Sequence, residues 1–127
     1  MNILDENIPA DQYAILKNWR IPIHQIGVDI GRKGMKDNEI IFFLHKLSNI
    51  TFFTRDLGFY NRNFNHNRYC LVCLAVKKNE VAVFMRYILR HPELDSKGKR
   101  MGPVIRISHA GFFILPQNNR KEIYITL

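Results

Sequence analysis

Short apolar runs alternate with segments of helical periodicity in the first quarter of the chain. Ile3-Leu4 predicts a short strand, and Pro9 suits the first turn of a helix whose apolar side chains then recur at spacings of three. Those side chains are Ala10, Tyr13 and Leu16. Residues 22–26 predict a second strand because they form the next mainly apolar run.

A glycine-rich loop follows the second strand and leads into the clearest helical pattern of the chain. The loop is GVDIGRKGMK, residues 27–36, and its glycines do not match the G-x-G-x-x-G dinucleotide fingerprint. After it, apolar side chains recur at i, i+3, i+4 and i+7, which predicts a helix with one buried face. They are Ile40, Phe43, Leu44 and Leu47. Asp37 fits the N-cap or the first turn of this helix.

Two continuous apolar runs, residues 50–54 and 70–76, predict strands that are covered on both faces. The polar segment NRNFNHNR, residues 61–68, lies between them. A further helix is marked by Val81, Phe84, Met85 and Ile88. It should end near His91-Pro92, because proline blocks its continuation. The strand-like runs IRISHAGFFIL and EIYITL at the end of the chain predict a terminal hairpin or edge pair.

This order of elements predicts an α/β fold with a helix-covered, mainly parallel sheet in a single domain, residues 1–127. Cys70 and Cys73 are three apart in a predicted strand, so they should point to opposite faces and act as core thiols. The first residues, MNILDENIPA, do not form a secretory signal, and no run of 18 apolar residues occurs. We therefore expect a cytoplasmic location and no membrane partner.

The charge balance suggests the class of partner. The chain has 19 Lys and Arg residues against 11 Asp and Glu residues, which gives a net charge of +8. Such an excess favours polyanions through phosphate contacts and counterion release, so nucleic acid is the leading expected partner. The alternative is that the charge only keeps the protein in solution.

Acidic residues come where predicted strands end or where the following helix begins. Asp5 and Glu6 follow the first strand, Asp56 follows the third, and Asp37 starts the helix after the second. In a parallel sheet these positions share the carboxyl edge, where ligands gather. Taken singly, each aspartate also fits a turn or a helix start. Their joint placement is what predicts a site.

Three carboxylates at one edge repel one another unless a cation is present. Two unit charges about 4 Å apart cost about 4 kcal/mol at an effective dielectric constant of 20. Hard oxygen ligands favour Mg²⁺ or Mn²⁺, the ions used by metal-dependent nucleases. Asp29 in the glycine-rich loop is a reserve ligand. No serine lies in a G-x-S-x-G elbow, so hydrolysis would have to use metal-activated water.

The segments LDENIP, GRKGMKDNEI and TRD followed by Phe59 resemble the PIN-like family, which is related to PIN-domain ribonucleases and includes VapC-type toxins. The resemblance implies a three-layer α/β/α sandwich with a mainly parallel central sheet and a C-terminal strand pair. It implies a Mg²⁺- or Mn²⁺-dependent endoribonuclease that acts on RNA as the toxin of a toxin–antitoxin pair. Asp5, Asp37 and Asp56 match the family's catalytic acids, and an antitoxin protein and a homodimer are the implied protein partners.

The sequence departs from the family at two places. PIN domains place a further glutamate on a helix between the first two acids, and this chain has no room for that helix. Glu6 and Glu39 are the nearest substitutes, with Glu6 the expected extra metal ligand and Glu39 expected on a solvated face. Gly58 stands where relatives often have a second acid. The alternative function is therefore a nucleic-acid- or protein-binding module that keeps the fold without cleaving.

Basic residues close to the TRD motif are the expected contacts for substrate. They are Arg55, Arg62, His66 and Arg68. Arg62, His66 and Arg68 alternate with asparagines around Phe64, a mix that suits phosphate contact and base stacking on single-stranded RNA. Arg55, next to Asp56, is expected either to neutralise phosphate or to pair with an acid. The alternative is a solvated loop whose aromatic side chain packs into the core. A second basic run, residues 97–100, is expected to be a solvated turn.

Overall fold

The computed structural model describes all residues, 1–127, as a mixed α/β fold with a seven-stranded sheet and four helices. The strands are β1 (Asn2–Leu4), β2 (His24–Gln25), β3 (Ile50–Thr54), β4 (Tyr69–Leu74), β5 (Val104–Ser108), β6 (Gly111–Leu115) and β7 (Ile123–Ile125). The helices are α1 (Ala10–Asn18), α2 (Asp37–His45), α3 (Val81–Arg90) and α4 (Lys97–Arg100). None of them is long and apolar enough to cross a bilayer.

The sheet is mostly parallel, as the sequence predicts. Its strand order is β2-β1-β3-β4-β5-β6-β7, and the first five strands in this order run parallel. Strands β6 and β7 are antiparallel to their neighbours. The end of the chain thus forms three strands rather than the expected pair, because IRISHAGFFIL turns at His109-Ala110 and its first half joins β4. Gly111 permits the turn with a φ of 129°.

Strand β1 lies between β2 and β3, so the chain moves outward from β1 to β2 and then returns to the other side of β1. The strand order therefore reverses at the boundary between β1 and β3. In open parallel sheets, the crevice outside the carboxyl ends of the strands at such a reversal is where ligands bind. This places the residues that follow β1 and β3 at the expected binding position.

Two hydrophobic clusters cover the two faces of the sheet. The larger contains buried side chains of α1 and α3, and the smaller contains those of α2 together with Phe59. Adjacent residues of β3 alternate between them, since Phe53 packs in the larger cluster and Phe52 in the smaller. Cys70 and Cys73 divide in the same way and are both buried, which confirms the two core thiols. Burial raises the pKa of each thiol to about 12.

Two strands are shorter than the sequence predicts. Instead of residues 22–26, β2 has only two residues, which pair with Ile3 and Leu4. Pro22 lies outside it and has no N–H for a ladder, and Gly27 turns the chain away at a φ of 82°. Strand β4 ends at Leu74 rather than at residue 76.

Helix α2 has the predicted buried face but ends at His45, two residues before Leu47. Ile40 and Leu44 are buried. Asp37 is the first helical residue and lies in the first turn, as one of the two predicted positions allows. The preceding Lys36 donates its backbone N–H to the Glu39 carboxylate at 3.1 Å. This bond fixes the start of the helix, and hence the position of Asp37.

Candidate active site at the carboxyl edge of the sheet

A threonine at the end of β3 connects the acids of two neighbouring strands. The register pairs Leu4 with Phe53, so Asp5 comes beside Thr54. The Thr54 hydroxyl donates to Asp5 Oδ2 at 2.6 Å and accepts the backbone N–H of Asp56 at 3.0 Å. Asp5 and Thr54 are both buried. The T-x-D spacing thus has a physical reason: one hydroxyl holds the first acid and the backbone of the third.

Asp56 forms the turn that was one of the two roles predicted for it, and it keeps a second carboxylate oxygen. Its Oδ1 accepts the backbone N–H of Gly58 at 2.9 Å, which is the bond of an Asx turn. That turn begins a short 3₁₀ helix, Leu57–Phe59, whose Phe59 side chain is buried. The bond occupies one carboxylate oxygen, and the Asp56 side chain is exposed. Turn formation and ligand binding are therefore compatible at this residue.

Asp37 reaches the same place from the start of α2. Burial raises its pKa, and the nearby carboxylates of Asp56 and Asp5 raise it further. The structure thus brings together the three acids that the sequence predicts at this edge, from three separate segments of the chain. We refer to Asp5, Asp37 and Asp56 as the acidic cluster.

Asp5, the buried member of the cluster, is also disfavoured in its ionised form. Burial is the largest cause of the raised pKa of Asp5, and the charges of Asp56 and Glu6 act in the same direction. The Thr54 hydrogen bond favours the ionised form but does not outweigh these effects. No Lys, Arg or His side chain lies within 4.0 Å of any acid in the cluster. The cluster therefore favours binding a proton or a cation.

Glu6, the expected extra metal ligand, holds the glycine-rich loop. Its Oε1 accepts the backbone N–H of Gly34 at 2.8 Å. A Cβ at Gly27 would lie only 3.2 Å from Glu6 Oε2, so the backbone of this loop passes close to the carboxylate. Because the loop ends at Asp37, Glu6 helps to position the second acid. One oxygen of the Glu6 carboxylate therefore binds the loop backbone and is not free for a metal ion.

A buried glutamine that the sequence reading did not single out supports the first acid. Gln25 in β2 is 3% exposed, and its Nε2 donates to the carbonyl oxygens of Asp5 at 3.1 Å and Ile8 at 2.8 Å. A third, longer bond reaches the Glu6 carbonyl at 3.3 Å. These bonds fix the backbone between β1 and α1, and hence the direction of Asp5. The signal in the sequence was a glutamine side chain within the strand-like run IHQI, residues 23–26, where a buried amide needs hydrogen-bond partners.

The three acids do not form a ready-made metal site. No group of three or more His, Cys, Asp or Glu side chains has the geometry to hold a metal ion. The three carboxylates are close enough for their charges to interact. Two of them also accept hydrogen bonds from the protein, Asp5 from Thr54 and Asp56 from Gly58. The donor type is correct for Mg²⁺ or Mn²⁺. Binding such an ion requires these side chains to rotate toward a common point.

One of the expected substrate contacts lies at this edge. Arg55 follows β3, and its Nε donates to the Val76 carbonyl at 3.1 Å. It lines a shallow cavity of about 410 Å³ together with Lys77, Glu80 and His109, all at or just beyond the carboxyl ends of the neighbouring strands. His109 contacts Glu80 at 2.9 Å. Arg55 and Leu57, the two neighbours of Asp56 in the chain, both line this cavity.

The other expected substrate contacts lie elsewhere. Arg68 and His66 precede Tyr69, the first residue of β4, and are therefore at the amino edge of the sheet. Arg68 donates to the His45 carbonyl at 3.0 Å, and His66 stacks on Tyr69 with ring centroids 4.9 Å apart. The five residues of β3 span about 15 Å between the two edges. The sequence placed these residues beside the acids, but the crossover from β3 to β4 must return to the opposite edge.

Arg62 and Phe64 lie within this crossover and are used by the fold. Arg62 donates to the Pro116 carbonyl at 3.2 Å and to the carbonyl of Arg120. Phe64 packs against the smaller hydrophobic cluster, with its ring 5.6 Å from that of Phe59. The alternative in which the aromatic side chain packs into the core therefore describes Phe64, which is partly buried.

The reserve acids and the second basic run also have structural partners. Asp29 accepts a hydrogen bond from the Tyr13 hydroxyl at 2.8 Å, which lowers the pKa of Asp29. Glu39 forms an ion pair with Arg32 in addition to its bond at the start of α2. The segment Lys97–Arg100 is a short helix rather than a solvated turn, and Arg100 is only 4% exposed.

No known protein family, curated protein or solved structure matches this chain. The resemblance to PIN-like proteins thus rests on the motifs in the sequence and on the acids that the fold brings together.

Proposed function

We propose that this protein is a metal-dependent endoribonuclease of the PIN-like type. The observation that supports the proposal is the meeting of Asp5, Asp37 and Asp56 at the point where the strand order reverses. Helices that pack on both faces of the sheet agree with the three-layer α/β/α arrangement of that family. The three acids come from separate segments of the chain and meet only in the folded protein.

Mg²⁺ or Mn²⁺ is the cofactor that we propose, with Asp5, Asp37 and Asp56 as the residues that would hold it. When bound, such an ion supplies an activated water and stabilises charge on the scissile phosphate. Thr54 orients Asp5, and Glu6 orients the loop before Asp37. The raised pKa of Asp5 and Asp37 means that a cation and protons compete for the same carboxylates.

The structure suggests a revised path for the RNA. We propose that phosphates adjacent to the scissile bond contact Arg55 and Lys77 in the cavity beside Asp56. His66 and Arg68, about 15 Å away at the other edge, would reach only a distant part of a bound strand. The net charge of +8 supplies a general attraction for the polyanion. The resemblance to VapC-type toxins extends the proposal to a toxin with an antitoxin partner, acting as a homodimer in the cytoplasm.

Asp56→Asn is the decisive variant. Asparagine keeps the size of the side chain and the oxygen that accepts the Gly58 N–H, so the turn should persist. The anionic ligand is lost, and we expect RNA cleavage in Mg²⁺ or Mn²⁺ to fall at least about 100-fold. Melting temperatures of the two proteins should be nearly equal. Asp29→Asn, which removes an acid outside the cluster, is the control and should cleave like wild type.

Equal cleavage by wild type and Asp56→Asn would refute the nuclease proposal. A second candidate function is a binding module that keeps the fold without cleaving, and the absence of a ready-made three-ligand group favours it. RNA binding without cleavage by wild type at millimolar Mn²⁺ would establish this second function instead.

A further inference from the structure

A basic cavity lies at the amino edge of the sheet, opposite the acidic cluster. Its volume is about 390 Å³, and it lies between the C-terminal ends of α1 and α3 and the short helix α4. Five of the side chains that line it are cationic and one is acidic. They are Arg20, Arg86, Arg90, Lys97 and Arg100, with Asp95 as the acid. Asn2, the first residue of β1, also lines the cavity and marks its position at this edge.

The positive charge of this cavity is not neutralised within the protein. None of the five cations has a carboxylate within 4.0 Å. Asp95, the only acid in the lining, is paired with Lys99 at 2.9 Å. Like charges concentrated in a concave site raise the local potential and attract anions. With five cations and one acid in its lining, the cavity therefore carries an excess of positive charge that an anionic ligand can balance.

One of the cations is buried and rigidly held. Arg100 is 4% exposed, and its guanidinium donates from Nε to Thr51 Oγ1 at 3.1 Å and from one terminal nitrogen to the Leu94 carbonyl at 2.7 Å. A guanidinium has five N–H donors, so these two bonds leave donors for the cavity that the side chain lines. A fixed planar fork of this kind matches the oxygens of a phosphate.

Another cation occupies a position at which its backbone is unfavourable. Arg20 has a φ of 60°, directly after the end of α1. The bonds from its N–H to the Lys17 carbonyl and from the Ile21 N–H to the Leu16 carbonyl form the helix-ending motif in which glycine is usual. An arginine there costs conformational free energy that glycine would avoid. Stabilisation of helix C-terminal ends by cations explains charge near α1 and α3, but not Lys97 at the start of α4 or the buried Arg100.

We propose that this cavity is a binding site for a small, multiply charged phosphate anion, such as the diphosphate of a nucleotide or the terminal phosphate of an RNA. A fixed guanidinium, four further cations around it and a single acid in the lining, which pairs with Lys99, are the features that favour such a ligand. The site is separate from the acidic cluster, since the two lie at opposite ends of β3. It therefore does not depend on the proposed nuclease activity.

Calorimetric titration of the full chain with inorganic pyrophosphate, in the presence of EDTA, tests the site without any contribution from metal or cleavage. We expect wild type to bind and the double variant Arg20→Gly with Lys97→Gln to bind at least about tenfold more weakly, which is about 1.4 kcal/mol. Arg20→Gly should not lower the melting temperature, because glycine is preferred at that backbone conformation. Weaker binding can then not be attributed to unfolding.

Lys121→Gln is the matched control, because it removes one exposed cation that does not line the cavity. It should bind pyrophosphate like wild type. No binding by wild type, or equal affinity for wild type, control and double variant, would overturn the proposal. Adenosine diphosphate and short RNAs with a 5′-phosphate or a 5′-hydroxyl then distinguish the sources: tighter binding of the nucleotide supports a nucleotide site, and dependence on the 5′-phosphate supports an RNA end.

Discussion

The two ends of β3 hold opposite charges in comparable settings. At its carboxyl end Thr54 donates a hydrogen bond to the buried Asp5, and near its amino end Thr51 accepts one from the buried Arg100. Acids gather around the first pair and cations around the second, and neither group has an opposite charge within 4.0 Å. The net charge of +8 thus conceals a separation of charge along the strands.

The two regions differ in how the chain builds them. The acidic cluster is placed by backbone segments that directly follow strands or begin a helix, so its geometry depends on the sheet. The basic cavity is lined by long cationic side chains at the ends of helices, and most of these side chains are exposed. The guanidinium of Arg86 also stacks over the ring of Trp19, 4.0 Å from its centroid. This contact holds Arg86 toward α1. The backbone thus fixes where the acids start, whereas long side chains place most of the cations.

The largest expected effect concerns the stability contributed by the two buried charges. Arg100→Ala removes two hydrogen bonds and opens space, so we expect a loss of about 3 kcal/mol in the free energy of unfolding. Asp5→Asn should change it little or increase it, because burial already disfavours the ionised carboxyl and raises its pKa. Urea unfolding of both variants checks the contrast.

Arg90→Ala is the control for the first comparison, since it removes an exposed arginine from the same cavity in a helix that tolerates alanine well. Its effect should stay within about 0.5 kcal/mol. An equal loss for Arg90→Ala and Arg100→Ala would mean that the buried hydrogen bonds do not stabilise the amino edge.

The next effect separates the edges by their response to cations. Mn²⁺ at about a hundredfold excess over its Kd should raise the free energy of unfolding by about 2.7 kcal/mol if the acidic cluster binds it. Asp37→Asn should remove most of this gain, whereas Asp29→Asn should keep it. Thermal melts with and without Mn²⁺ give the measurement. The absence of any shift in wild type would exclude a Mn²⁺ site at the cluster.

A smaller effect tests which edge the RNA follows. Each phosphate contact with single-stranded RNA contributes about −0.7 to the slope of log affinity against log salt concentration. Arg55→Gln should reduce the steepness of the slope by about that amount, because Arg55 lines the cavity beside Asp56. Arg68→Gln, which removes the same charge at the opposite edge, should leave the slope unchanged. The reverse result would return the substrate path to the β3–β4 crossover.

The smallest effect is the pH dependence of the metal-free protein. The pKa of Asp5 and of Asp37 is raised above the ordinary value of 3.8, so the folded state binds more protons than the unfolded state in the interval above that value. Their contribution to stability is therefore complete below pH 3.8 and is lost as pH rises through the raised values. Melts in EDTA should show a shallower loss for Asp37→Asn than for wild type. Identical profiles would show that Asp37 does not titrate with a raised pKa.

The sequence by itself determined most of the secondary elements and the edge at which the acids lie. Continuous apolar runs defined β3 and most of β4, and helical spacing defined α3, because these elements bury side chains whose order is local. That Asp5, Asp37 and Asp56 lie at the same edge of the sheet was also predictable. Residues that end parallel strands, or begin the helices that follow them, share one edge whatever the order of the strands.

Only the tertiary structure decided which strands are neighbours and what the remaining polar residues contact. The place of β1 between β2 and β3 brings Asp5 to Thr54, and no local pattern encodes that order. Residues 61–68 look suited to RNA, but the crossover takes His66 and Arg68 to the far edge and uses Arg62 within the fold. Arg100 reads as a solvated cation and is buried, because hydrogen-bond partners as distant in sequence as Thr51 become available only after folding.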